Sequence, residues 1–146
     1  MKGQLKKYYP SLLNNNFQRK KMSEKFFLQQ SPFIVPTTDG KLIEEHIGRV
    51  ATSESDLSVA HMVAPPGWSE PHQNPEFDEY TLMVRGRKQI EINGETVTLK
   101  SGQSLLVKKG SRVQYSNPFQ EEAEYWSVCM PAFSLESVNR ENDSTT

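Results

Sequence analysis

The residues best suited to chemistry lie between Pro65 and Gly86, in the run PPGWSEPHQNPEFDEYTLMVRG. His72 and Glu79 are side chains that bind transition metals or carry protons. Between Glu79 and Gly86 the chain alternates, with Tyr80, Leu82 and Val84 on one side and Thr81 and Met83 on the other. Period-two alternation marks a strand with one packed face. Glu76, Asp78 and Glu79 place three carboxylates in four residues. Strand geometry sends Glu79 one way and Asp78 the other. One reading is a solvated acidic loop with one inward glutamate. The other is a glutamate desolvated in the interior, with a raised pKa and poised as an acid or base, and for Glu79 the two weigh equally.

The elements that must position these groups are short strands. Ile43 to Val50 and Leu57 to Val63 read as strands before the acidic loop. Gln89–Ile92 and Thr96–Leu99 alternate on either side of Asn93-Gly94, the composition of a type I′ hairpin turn. Ser104 to Lys108, Arg112 to Ser116 and Glu124 to Met130 follow, separated by Gly110-Ser111 and Asn117-Pro118. Strands at this spacing, with no helical periodicity between them, predict a sandwich or barrel. Trp68, Phe77, Tyr115, Tyr125 and Trp126 would fill its interior or line a pocket. Arg85, Arg87 and Lys88 read as a solvated basic turn around Gly86, and His61 as a hydrogen-bonded structural residue.

Two glycine-framed motifs resemble those of the cupin family. The first is G-x5-H-x-H-x3-4-E-x6-G, matched by Gly67, His72, Glu79 and Gly86, with one residue fewer between the glycine and the histidine and Asn74 for the second histidine. The second is G-x5-P-x-G-x2-H-x3-N, matched by Gly102, Gly110 and Asn117, with Lys108 for the proline and Val113 for the histidine. The resemblance covers roughly Phe33 to Phe133 and implies an all-β fold, the cupin double-stranded β-helix or jelly-roll barrel. It implies that His72, Asn74 and Glu79 face the cavity, with Gln114 and Tyr115 beside the position of the missing histidine. Those five residues are the expected ligand-binding set. Glu70 and His72, two apart, would share a face of an extended segment. Glu70, His72 and Glu79 are thus the candidate ligands for a divalent transition metal such as zinc, nickel, manganese or iron. Both a small-molecule-binding protein and a metal-dependent enzyme (a dioxygenase, isomerase or lyase, with His72 and Glu79 catalytic) fit these residues. A ligand-free structural or regulatory dimer is the third reading.

The chain has 146 residues, enough for one domain. Its net charge of −1 hides an asymmetry, because residues 1–21 hold six basic groups and no acidic one. The acidic remainder argues against nucleic acid as a partner. No Ser-His-Asp order, phosphate loop or Cys-x-x-Cys pair occurs. The single cysteine, Cys129, lies in an apolar strand and reads as buried. The expected organisation is a disordered basic extension over 1–22, an arm over 23–32, the barrel over 33–133 and a loose tail over 134–146. No run is apolar enough to span a bilayer. The expected setting is cytoplasmic, and the expected assembly is a homodimer.

Overall fold

The computed structural model describes residues 25–141. The chain divides into two compact units, Met1–Gln30 and Ser31–Thr146. Of the first unit, residues 25–30 are described. They form no helix or strand and leave Phe26 and Leu28 exposed. The extension expected over 1–22 lies outside the described residues.

The second unit is all-β. Its strands are β1 (Phe33–Ile34), β2 (Leu42–Ile47), β3 (Ser58–Ala64), β4 (Asp78–Arg85), β5 (Arg87–Ile92), β6 (Glu95–Lys100), β7 (Ser104–Val107), β8 (Val113–Ser116) and β9 (Ala123–Met130). A six-stranded sheet runs β1-β2-β3-β9-β4-β7, and a three-stranded sheet runs β6-β5-β8. Among the described residues no helix is long and apolar enough to cross a membrane.

Alternation in burial is clearest on β9. On β9, Ala123, Tyr125, Ser127 and Cys129 are buried, while Glu124, Trp126 and Val128 are partly exposed. The inward faces of the two sheets meet in one core that includes Trp68, Met83, Ile90, Leu99 and Val113. A smaller cluster joins Phe77, Cys129 and Val138, with the Phe133 ring 5.8 Å from that of Phe77.

The β5–β6 hairpin turns at Asn93 and Gly94, with φ of 49° and 87°, the positive values that a type I′ turn requires. The second strand stops at Ile47 rather than Val50. There the Glu45 carboxylate accepts the backbone N–H groups of Val50 and Ala51, at 2.9 and 2.8 Å, and folds the chain back.

Of the tail expected to be loose, residues 137–141 are hydrogen-bonded to the barrel unit, and 142–146 lie outside the described residues. Asn74 N–H donates to the Asn139 carbonyl, Glu76 N–H to Ser137, and Glu141 N–H to His72. Residues 137–141 therefore lie along 72–76 as an added strap. Val138 anchors it by burying its side chain against Phe77 and Cys129. Polar composition concealed that single apolar anchor.

Candidate functional site

The site is set by an irregularity in the segment between β3 and β4. Ser69 lies opposite Ser116, and Gln73 lies opposite Val113. Four steps on one side thus face three on the other. One extra residue is accommodated between Glu70 and Gln73, and a bulge of this kind reverses which side chains face inward. Gln73 and Val113 exchange both backbone bonds at 2.9 Å and are both buried.

His72 consequently points away from the barrel interior. Its Nε2 lies 3.3 Å from Glu91 Oε1. Glu91 follows the fully buried Ile90 and so occupies the outer face of β5. Gln114 is on that outer side as well, where its amide donates to the Glu70 carbonyl at 3.1 Å. Asn74 is exposed and lines an open hollow with Pro75, Glu76, Lys109, Gly110 and Asn139. Glu70 and His72 do not share a face, because the bulge falls between them. Among the described residues no three His, Cys, Asp or Glu side chains come together to hold a metal ion.

The structure brings a different group into the barrel. Glu79 faces inward from β4, and Ser127 Oγ donates to its Oε2 at 2.8 Å. Burial pushes the Glu79 carboxyl pKa up and the charge of Glu70 adds to this, while Lys88, Ser127 and Lys41 act in the opposite direction. Lys88 is only 1% exposed. Its Nζ sits 3.7 Å from the centre of the Tyr125 ring and 4.2 Å from that of Tyr115. Lys41 is also buried, with Nζ 4.1 Å over Trp68 and 5.5 Å from the Tyr125 ring centre. Burial works against the Lys41 charge, but Tyr125, Glu70 and Glu79 outweigh it and raise the pKa. Cation–π contact of this kind favours the charged ammonium.

Local structure explains how Lys41 reaches the interior. Asp39 Oδ2 accepts the Trp68 indole N–H at 2.7 Å, and its Oδ1 accepts the Lys41 backbone N–H at 3.1 Å. One carboxylate thereby ties the turn to the indole on which the ammonium rests. Burial raises the Asp39 pKa, but these bonds outweigh it and leave the carboxyl below its ordinary value.

Tyr115 and Tyr125 complete the set. Both side chains are buried, and neither hydroxyl has a hydrogen-bond partner among the described residues. Burial, with Glu79 and Glu70, pushes the Tyr115 hydroxyl pKa well up. Glu70 stands at the rim, its Oε2 3.5 Å from Arg140 Nη2 on the C-terminal strap. Arg140 Nε also donates to Gln73 Oε1 at 3.4 Å. Cys129 is buried nearby, where desolvation and Glu79 push its thiol pKa up, which removes it as a nucleophile at neutral pH.

Of the expected residues, then, Glu79 and Tyr115 face the interior, Glu70 stands at its rim, and His72, Asn74 and Gln114 lie outside it. Lys41, Lys88 and Tyr125 are the additions. Lys88 was expected in a solvated turn with Arg85 and Arg87. Those two are exposed, but Lys88 begins the inward series Lys88, Ile90, Ile92. That alternation was the signal for it.

His61 belongs to the outer face of the larger sheet. Its Nδ1 lies 2.7 Å from Glu44 Oε1 and its Nε2 2.8 Å from Glu124 Oε2, so both nitrogens are engaged. Asp78 also points outward, and Lys108 donates to it at 2.8 Å.

This all-β architecture, with its glycine-framed motifs, is that of a cupin. Residues 60–129 match the family model of the cupin domain, and this chain carries a small domain of that type. An endoribonuclease YbeY of Myxococcus xanthus is 46% identical over 108 residues, which are 74% of this chain and 37% of that protein. The chain spans less than half the length of the curated relatives it matches. Among solved structures, a single-residue variant of the oxalate decarboxylase of Bacillus subtilis aligns with TM-score 0.67 at 17% identity, over 78% of this chain and 31% of that one. KdgF from a Halomonas species aligns with TM-score 0.62 at 16% identity, over 77% of this chain and 97% of that one. These likenesses show the fold.

Proposed function

We propose that this cupin binds a small polar organic molecule inside its barrel, among Lys41, Glu70, Glu79, Lys88, Tyr115 and Tyr125. One observation carries the reading. Two tyrosine hydroxyls are buried beside two buried lysines, and both lack a hydrogen-bond partner among the described residues. A buried polar group left unmatched costs about 1–3 kcal/mol, and such groups call for an explanation. A ligand that accepts from the hydroxyls supplies one.

The donors do not fit a transition metal in that position. Ser127 donates to Glu79 and the Lys88 and Lys41 charges act on it, and two ammonium groups repel a cation. The acidic balance of residues 22–146 likewise gives RNA no basic footprint, so the ribonuclease activity named for the longer relative has no support in this domain.

Ligand-observed NMR with a panel of small neutral, cationic and anionic metabolites tests the reading, using wild type and Tyr115→Phe. At least one compound is expected to bind wild type with a Kd below about a millimolar and to bind Tyr115→Phe several-fold more weakly, the effect of losing one hydrogen bond worth about 1 kcal/mol. Without ligand, Tyr115→Phe should be at least as stable as wild type, because it removes an unpaired hydroxyl. No binding from any charge class, or binding indifferent to Tyr115→Phe and Tyr125→Phe, overturns the proposal.

A second reading, an isomerase or lyase, draws on Glu79. A carboxyl with a raised pKa beside Ser127 is suited to take a proton from a bound molecule and return it. Turnover that Glu79→Gln abolishes while binding persists is its signature.

A further inference from the structure

We propose that the ligand held in the barrel is a carboxylate, gripped between the ammonium groups of Lys41 and Lys88. This rests on the reading that the barrel interior is a ligand site, and it names the ligand's chemical class.

Charge accounting inside the barrel leads there. Lys41 and Lys88 are at most 7% exposed. Among the described residues neither forms an ion pair with a carboxylate; Lys41 lies over Trp68 and Tyr125 and Lys88 over Tyr115 and Tyr125, with Glu79 acting on both lysines, and Glu70 on Lys41, from further off. The two carboxylates nearby are already committed. Glu79 accepts from Ser127, and Glu70 faces Arg140 at the rim. With Arg140 counted, three cationic side chains meet two carboxylates, so the group carries more positive than negative charge. A buried charge without a counter-charge is unfavourable, and a ligand carboxylate supplies one. Its oxygens can also accept from the Tyr115 and Tyr125 hydroxyls, which ties all four groups to one functional group.

Other classes match fewer of these features. A polyol would satisfy the hydroxyls and leave both ammonium groups unpaired. An amine would meet two cations. Phosphate sites favour arginine forks and free backbone N–H groups. Here the inward charges are lysines, and the strands around them spend their N–H groups in sheet bonds. The aromatic surfaces of Trp68, Tyr115 and Tyr125 suit an organic acid with some apolar body.

The experiment compares matched pairs. Acetate, malonate, succinate and benzoate are titrated beside acetamide, malonamide, succinamide and benzamide, with inorganic phosphate as a further arm. Proteins are wild type, Lys88→Met and Lys41→Met, and the readouts are saturation-transfer NMR and thermal shift. At least one carboxylate should bind wild type ten times more tightly than its amide. Each lysine variant should lose that preference and keep the amide affinity. The wild-type comparison stands alone if a variant fails to fold. Amides binding as tightly as acids, or phosphate or a neutral metabolite binding while no acid does, would sink the carboxylate class and leave the barrel-site reading intact. Failure of every compound in both this series and the metabolite panel would sink both.

Discussion

Asn117 offers a sharp test of how the site is held. It is fully buried. Its side-chain amide donates to the carbonyls of Ala64 and Pro65 at 3.2 Å and Glu121 at 2.8 Å, and its Oδ1 accepts the Phe119 N–H at 3.2 Å. Its backbone N–H donates to the Trp68 carbonyl and its own carbonyl accepts from Gly67. One residue thus ties the end of β3, the turn after β8 and the segment that carries Trp68, the platform of Lys41. Asn117→Ala removes the four side-chain contacts. At about 1 kcal/mol each the loss is about 3–4 kcal/mol. Asn117→Asp keeps the shape but aims a carboxylate at three carbonyl oxygens, an unpaired buried charge costing about 3–5 kcal/mol at pH 7. The two variants separate with pH. The buried aspartic acid resists ionisation, so its folded pKa lies above the ordinary value of about 3.9. The extra penalty of the aspartate is absent below that value and grows as pH rises from it toward the folded pKa. Urea unfolding of wild type and both variants at pH 4 and pH 7 measures this. The Asp penalty should be smaller at pH 4, and the Ala penalty equal at both. An Asp variant within about 1 kcal/mol of wild type at pH 7, well under that estimate, would refute the account.

Three further outcomes are expected. Burial lowers the His61 pKa, but its bonds to Glu44 and Glu124 outweigh that and raise it. The stability it brings is therefore complete below its ordinary value of about 6.5 and is lost as pH rises through the higher folded value; His61→Gln should flatten that part of the stability profile measured by urea melts. Gly86 has φ of 75° and a new Cβ there would run into the Glu122 carbonyl, whereas Gly102, at φ 83°, faces open space. Gly86→Ala should thus cost clearly more than the roughly 1–2 kcal/mol of left-handed strain that Gly102→Ala costs in the same assay. On the outer face of the larger sheet, Leu42, Leu82, Leu106 and Met130 are exposed around charges already paired within the chain, His61 with its two glutamates and Arg85 with Glu122 and Glu124. An apolar face whose charges are engaged within the chain can meet a copy of itself, so light scattering at micromolar concentration should give a dimer mass and Leu82→Glu a monomer mass.

The strands were legible in the sequence because alternation and turn chemistry act locally. Asn93-Gly94 fixed its hairpin, but on β4 the more apolar side, with Leu82 and Val84, is the exposed one, and Thr81 and Met83 are buried, so the alternation marked the strand without showing which way it faces. The interior was legible only in part. Glu79 and Tyr115 sit within regular strands, where the spacing of the family motifs carries over without a shift. His72 sits beyond a one-residue bulge, and a bulge leaves no mark in the hydrophobic pattern. It did leave one in the spacing. The count from Gly67 to His72 is one short of the family motif, and the motif's own count falls on Gln73, the residue the structure buries against Val113. Lys88 was hidden by composition. A lysine between Arg87 and Gln89 reads as surface until its parity with Ile90 is followed. Lys41 depends on a tertiary bond, from Trp68 to Asp39, that no local pattern records.

The two tryptophans divide between the two sides of the larger sheet. Trp68 is buried inside with an ammonium over its ring, while Trp126 lies outside with the His46 and His61 rings 4.9 and 5.0 Å away. The chain holds no others. Its native fluorescence is therefore the sum of two emitters in separate compartments. Trp126→Phe leaves an emitter that senses what enters the barrel beside Lys41. Trp68→Phe leaves one that senses the protonation of His61 and the covering of that face. The proposed filling of the barrel and the expected pairing of chains would thus give independent optical signals, without a label attached to either surface.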